Sequence, residues 1–220
     1  MMEASIRSRE RRLDSLRSMS LDNALELLVS TNSSERFDAA QALNMGRSGF
    51  GEEEGSWFWG EGRSPFGEEE RSRLVKGLMA ILNSTNSDEV KAYAVVVLGE
   101  FRAAEAAPLL VRHFEWDEII ANSADSAIPR REAETLRWSY PVSYALLQIG
   151  LPAIPALLNR IQETEGTNTT DKCVRLCRAI EGPAATQSRL QALLEKETDL
   201  KRKGRIQSAL DVLTKLKPAR

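Results

Sequence analysis

The chain reads as an all-α protein, a stack of about five helix pairs interrupted by two inserts. Three observations predict this. Apolar residues recur at helical spacing along most of the 220 residues, as in Val90, Ala94, Val97, Leu98 and Phe101. No stretch of useful length alternates apolar and polar residues as a half-buried strand does. Short segments also superpose on one another, the mark of stacked units that cannot bury their faces alone.

The elements follow in order. Residues 1–20 form an N-terminal helix or tail, rich in arginine (Arg7, Arg9, Arg11, Arg12, Arg17) with few apolar anchors. Leu21, Leu25, Leu28 and Val29 mark the first helix, with Ser20 as its cap. Thr31–Ser34 is a turn, and Glu35–Leu43 the next helix, stopped at Asn44 or Gly46. The first insert, about 47–67, is glycine-rich and irregular. Helix resumes at Glu68 with Leu74, Leu78, Ile81 and Leu82 on its apolar face.

Ser87 or Asn86 caps the helix that carries Val90 to Phe101, with Asp88 and Glu89 favourably placed in its first turn. Gly99 reads as its stop. A second helix is expected over 104–114, with Pro108 early, where a missing N–H costs least. The second insert spans about 115–134 and holds Trp116; Trp116 and Trp138 flank it. Helix returns over 135–149, with Pro141 starting, kinking or shortening it. Further helices are expected at about 151–163, 171–180 (capped at Thr170), 184–197 and 200–216. Residues 21–216 thus make one repeat domain, followed by a tail at 217–220.

The repetition is explicit. KAYAVVVLG at 91–99 superposes on RFDAAQALN at 36–44 and VSYALLQIG at 142–150. The shared column is Ala39/Leu43, Ala94/Leu98 and Ala145/Ile149, each pair followed by Asn44, Gly99 or Gly150. AEAAPLLVRHF at 104–114 superposes on LPAIPALLNRI at 151–161, bringing Pro108 onto Pro155 and Leu110 onto Leu157.

DEVKAYAVVVLGEF followed by AAPLLVRHF resembles the HEAT repeat, especially its short bacterial form. In that form an acidic cap, a Val-Lys pair, an alanine and Leu-Gly close one helix, and proline opens the next. The resemblance is good over 87–114, fair over 140–161 and weaker over 21–44 and 168–216. The chain departs from the pattern at both inserts and at Pro141. The resemblance implies an armadillo-type, right-handed α-α superhelix that serves as a binding scaffold. It implies no single activity.

Composition narrows the function classes. Hydrophobic residues at 42% and charged residues at 28% are ordinary for a globular domain. A net charge of −2 gives no overall signal for a polyanionic partner. Two cysteines argue against a disulfide framework. MMEASIRSRERRLDSLRS lacks a signal-like apolar core, and no run approaches a membrane span of roughly 18 apolar residues. A cytoplasmic protein without a membrane partner is expected.

No catalytic motif is legible, so a non-enzyme without cofactor or metal is expected. Cys173 and Cys177 share a helix face, but Cys177 superposes on the Ala94 and Ala145 column and reads as core. His113, the only histidine, falls on the polar side of its helix. The segment 47–70 carries FGEEE twice around Trp57-Phe58-Trp59, with seven glutamates against two arginines. It reads either as a solvated loop folded back on the body or as a binding arm. Residues 196–220 hold eight basic and three acidic residues, with Lys201, Arg202, Lys203 and Arg205 clustered. That cluster reads as a solvated terminal cap or a contact for an anionic partner.

The favoured function is a protein-interaction scaffold that binds another protein or peptide through its concave helical face or the first insert. Candidate partner-binding residues are Trp57, Phe58, Trp59, Lys91, Arg175 and Arg178. Nucleic-acid binding, disfavoured by the even charge, and an accessory chaperone or lyase role, by analogy with other HEAT-like proteins, are the alternatives.

Overall fold

A computed structural model describes residues 20–45, 67–84, 87–117 and 140–216. Among these residues every regular element is helical, and the all-α expectation holds. The helices are α1 Leu21–Leu28, α2 Ser33–Met45, α3 Glu68–Leu82, α4 Asp88–Glu100, α5 Ala107–Leu110, α6 Pro141–Ile149, α7 Ile154–Glu163, α8 Thr167–Glu181, α9 Pro183–Lys196 and α10 Leu200–Lys215. Three 3-10 turns, Ala104–Ala106, Phe114–Trp116 and Leu151–Ala153, link them. Trp57 to Trp59, the N-terminal segment 1–19 and most of both inserts lie outside the described residues.

Local chemistry sets several boundaries. Ser20, Ser87 and Asp199 cap α1, α4 and α10 by accepting from the amides of Asn23, Val90 and Arg202. The Arg202 amide holds the Asp199 carboxyl below its ordinary range. Gly67, at the edge of the first insert, is the N-cap of α3, and Glu70 accepts from its amide at 3.2 Å. α8 begins at Thr167, three residues before the expected cap at Thr170. Pro141 opens α6, where its missing N–H leaves no bond unmade.

Every second helix packs on the next: α2 on α4, α4 on α6, α6 on α8, and α8 on α10. α1 packs on α3, and α5 on α7, along one side of that row. The small-residue column lies in the row. Ala39, Ala94, Ala145 and Cys177 are all fully buried, and Leu43, Leu98 and Ile149 one turn further on are buried too.

The superposition of 104–111 on 151–158 extends to conformation. Each segment begins with a 3-10 turn and continues into a helix whose second residue is proline. Leu110 and Leu157 are both fully buried, whereas Pro108 and Pro155 are both exposed. The two segments then part. α7 continues to Glu163, whereas α5 ends after one turn and gives way to the 3-10 turn Phe114–Trp116. The single helix expected over 104–114 is therefore three short pieces.

Gly99 is not the stop expected of it, and of the alternatives Asn44 and Gly46 the first is not a stop either. Asn44 lies inside α2, and Gly99 lies inside α4. α4 ends instead in a Schellman-type turn. The Arg102 amide donates to Gly99 O (2.8 Å) and the Ala103 amide to Leu98 O (3.0 Å). Arg102 takes the left-handed conformation (φ 48°) that such a turn requires and glycine usually supplies. Gly150 and Gly182, with φ of 73° and 87°, are true terminators of α6 and α8.

Gly99 has a different task. A Cβ placed on it would sit 2.5 Å from Ala145 Cα and 2.8 Å from Ala145 Cβ. Glycine is needed here because α4 and α6 touch backbone to backbone. The Tyr144 hydroxyl donates to the buried Glu100 carboxylate at 2.5 Å beside this crossing. The two polar groups thus satisfy each other within the buried interface.

Among the described residues no single helix is long and apolar enough to cross a membrane. α6 and the segment Leu151–Glu163 would pass together, but they bend by 112° at Gly150, and their apolar residues are mostly core.

Gly99→Ala should destabilise the protein by at least about 2 kcal/mol, because the backbone at Ala145 cannot yield without separating the helices. Gly204→Ala, in α10 with nothing within 4 Å of the new methyl, should stabilise by about 0.5–1 kcal/mol. Thermal melts of the two variants should move in opposite directions, and a shared direction would contradict the crossing geometry.

Candidate functional site

The polar groups that sequence alone does not connect converge on the 3-10 turn Phe114–Trp116 and on Asp117. Asp117 is almost fully buried. One of its carboxylate oxygens accepts from the Val142 amide (2.9 Å) and the Ser143 amide (3.3 Å). The other accepts from the Ser143 hydroxyl (2.9 Å) and from Lys172 Nζ (3.3 Å). Asp117 is therefore the N-terminal cap of α6, supplied from a residue 25 positions earlier, and its charge is met by α8. The second insert was expected to begin at 115. Glu115 to Asp117 belong instead to the described body, where the Asp117 carboxylate ties residue 117 to residues 142 and 143.

Trp116 is buried beside it, and its Nε1 donates to Asp88 Oδ1 at the start of α4 (3.2 Å). The His113 ring stacks on Trp116 with centroids 4.1 Å apart and planes within 4°. His113 Nδ1 lies 2.7 Å from Glu115 Oε1. Two lysines flank the turn: Lys91 Nζ is 5.8 Å from the Trp116 ring centroid, and Lys172 Nζ is 5.4 Å from that of Phe114. The turn thus joins α4, α6 and α8. Trp116 is packed into the body, whereas Trp138 lies outside the described residues.

The predicted partner-binding residues are not brought together. Lys91 is mostly buried, held near Asp88 (4.0 Å) and Trp116. Arg175 is exposed on α8 and bonds Asp171 at 2.5 Å. Arg178 is half-buried one turn further along α8. Trp57, Phe58 and Trp59 fall outside the described residues. In the basic C-terminal cluster, Arg205 is engaged with Gln162 O and Glu165 (both 2.7 Å), and Arg202 approaches Glu197 at 3.9 Å. Half of that cluster is therefore occupied by the fold itself.

Cys173 and Cys177 are fully buried and unpaired, and for Cys177 this matches its place in the small-residue column. Burial, reinforced by the neighbouring Cys177, pushes the Cys173 thiol up to about 12, and burial with Glu181 nearby does the same for Cys177. Burial thus favours the protonated thiol at both positions. No group of three or more histidine, cysteine or acidic residues with metal-site geometry occurs among the described residues.

What sequence reading missed is a set of residues that surround the turn: Arg112, Glu115, Asp117, Arg160 and Lys172. Their partners lie up to 55 positions away, and no local period marks them. No protein-family model matches the chain, and neither a curated protein nor a solved structure is significantly similar to it.

Asp117→Ala should lower stability by about 2–4 kcal/mol, because it uncaps α6 and leaves Lys172 without its buried counter-charge. Asp171→Ala, which removes only a surface ion pair, should cost under about 0.5 kcal/mol. Urea unfolding of both variants checks the contrast, and equal midpoints would show that the Asp117 contacts carry no stability.

Proposed function

We propose that the chain is a non-catalytic interaction scaffold, HEAT-like in build, that binds another protein or peptide. One observation carries this reading. The row α2–α4–α6–α8–α10 packs helix on alternate helix, with a small residue buried at each superposed position from α2 to α8. Stacked helical rows of this kind offer extended surfaces, which suits recognition of an extended partner.

Arg175 and Arg178, three apart on α8, are the better contact candidates, because Lys91 is taken up by Trp116 and Asp88. The aromatic run Trp57-Phe58-Trp59 within its acidic segment supplies the second candidate surface. A right-handed superhelical sense follows from the HEAT resemblance. Two buried free thiols suit a reducing compartment, and the cytoplasm is the location this reading favours.

Quantitative affinity capture from the native source tests the proposal with three proteins: the wild type, Arg175→Glu/Arg178→Glu, and a variant lacking residues 50–65. The expected result is a partner retained by the wild type and lost by at least one variant. A profile unchanged by both variants, or matched by an unrelated helical protein, would contradict it.

A further inference from the structure

A cavity of about 280 Å3 opens between the Phe114–Trp116 turn and the start of α8. Three cationic side chains from three elements line it: Arg112 after α5, Arg160 of α7 and Lys172 of α8. Phe114 supplies an apolar wall, and Asn168 and Thr169 add neutral polar groups.

The positive charge is only partly answered. Lys172 shares the Asp117 carboxylate with the amides of α6. Glu115, the one acidic residue in the lining, is held by His113 at 2.7 Å. Arg112 is exposed. The Nε of Arg160 is buried and has no hydrogen-bond partner among the described residues. That atom has no solvent access, so it marks a guanidinium the fold leaves under-satisfied rather than a point of ligand contact.

The cavity also borders a helix start. Gly166 provides no side-chain cap for α8, and the first intrahelical bond runs from the Thr170 amide to Gly166 O (3.1 Å). The amides of Thr167, Asn168 and Thr169 precede that bond and face the end where negative charge is favoured.

We propose that this cavity binds a phosphate group. Two guanidinium forks, an ammonium and the hydroxyl and amide of two neutral side chains form a donor set that greatly outnumbers the acceptors beside it. A phosphate presents three or more acceptor oxygens and up to two charges, which can satisfy donors from several directions. A carboxylate offers two coplanar oxygens and one charge, and would leave part of the set unmet. The site stands independently of the scaffold reading. The group could be free phosphate or a phosphoryl group on a larger molecule.

Isothermal titration of the full chain at constant ionic strength, with inorganic phosphate, phosphoserine and acetate as separate titrants, tests this. Wild type should bind phosphate or phosphoserine with saturation, and acetate at least about tenfold more weakly. Tighter phosphoserine binding would indicate an esterified source, and tighter inorganic phosphate a free one. Arg112→Ala, at an exposed position that leaves the fold intact, should weaken binding, and Arg112→Ala/Arg160→Gln should weaken it by about tenfold or more, the scale of one charge-assisted bond. Circular dichroism of the double variant guards against unfolding. Non-saturating heats in wild type, equal affinity for acetate, or an Arg112→Ala variant that binds as wild type does would each overturn the assignment.

Discussion

The structure depends on the crossing where Gly99 of α4 meets Ala145 of α6, too close for a methyl group between them. Close backbone approach maximises dispersion contact but tolerates no added volume. It also carries a topological burden. The segments flanking this contact are separated in sequence by a one-turn helix, two 3-10 turns and the stretch 118–139, so nothing local brings them together. α4 in turn packs on α1, α2 and α3, and α6 on α8, which makes this crossing the joint between the two halves of the described body.

Three polar contacts secure that joint. Tyr144 meets Glu100 within the interface, Trp116 meets Asp88 at the start of α4, and Asp117 caps α6 while pairing with Lys172. Each satisfies groups that burial would otherwise leave unpaired, so their value lies in avoiding a desolvation penalty rather than in a large net attraction. Because the Trp116 and Asp117 contacts converge on one short turn, that turn acts as a clasp. The cation-lined cavity is a by-product of the same convergence, since lysine and arginine stems reach the turn from α7 and α8.

Much of the fold was legible because helical packing is periodic. The spacing Ala39/Leu43, Ala94/Leu98 and Ala145/Ile149 predicted a buried column, and Cys177 fell into it correctly. Pro108 and Pro155 marked equivalent helix starts for the same reason. Gly99 was ambiguous, because a glycine near the end of an apolar helix serves equally as a stop or as a close-contact residue. The stop fell on Arg102, which takes a conformation its residue type does not advertise. Asp117, Lys172 and Arg160 carried no signal. Their roles arise from contacts across the chain, and an acidic residue beside a tryptophan in an irregular stretch looks like the start of a loop. The candidate site was therefore much less legible than the fold.

Amide hydrogen exchange under native conditions tests the central place of the α4–α6 crossing most directly, since core protection reports the most cooperative unit. The account predicts that peptides covering residues 92–98 and 144–149 exchange last, and together. Exchange of these peptides as fast as α1, or slowest protection in α10 alone, would contradict it.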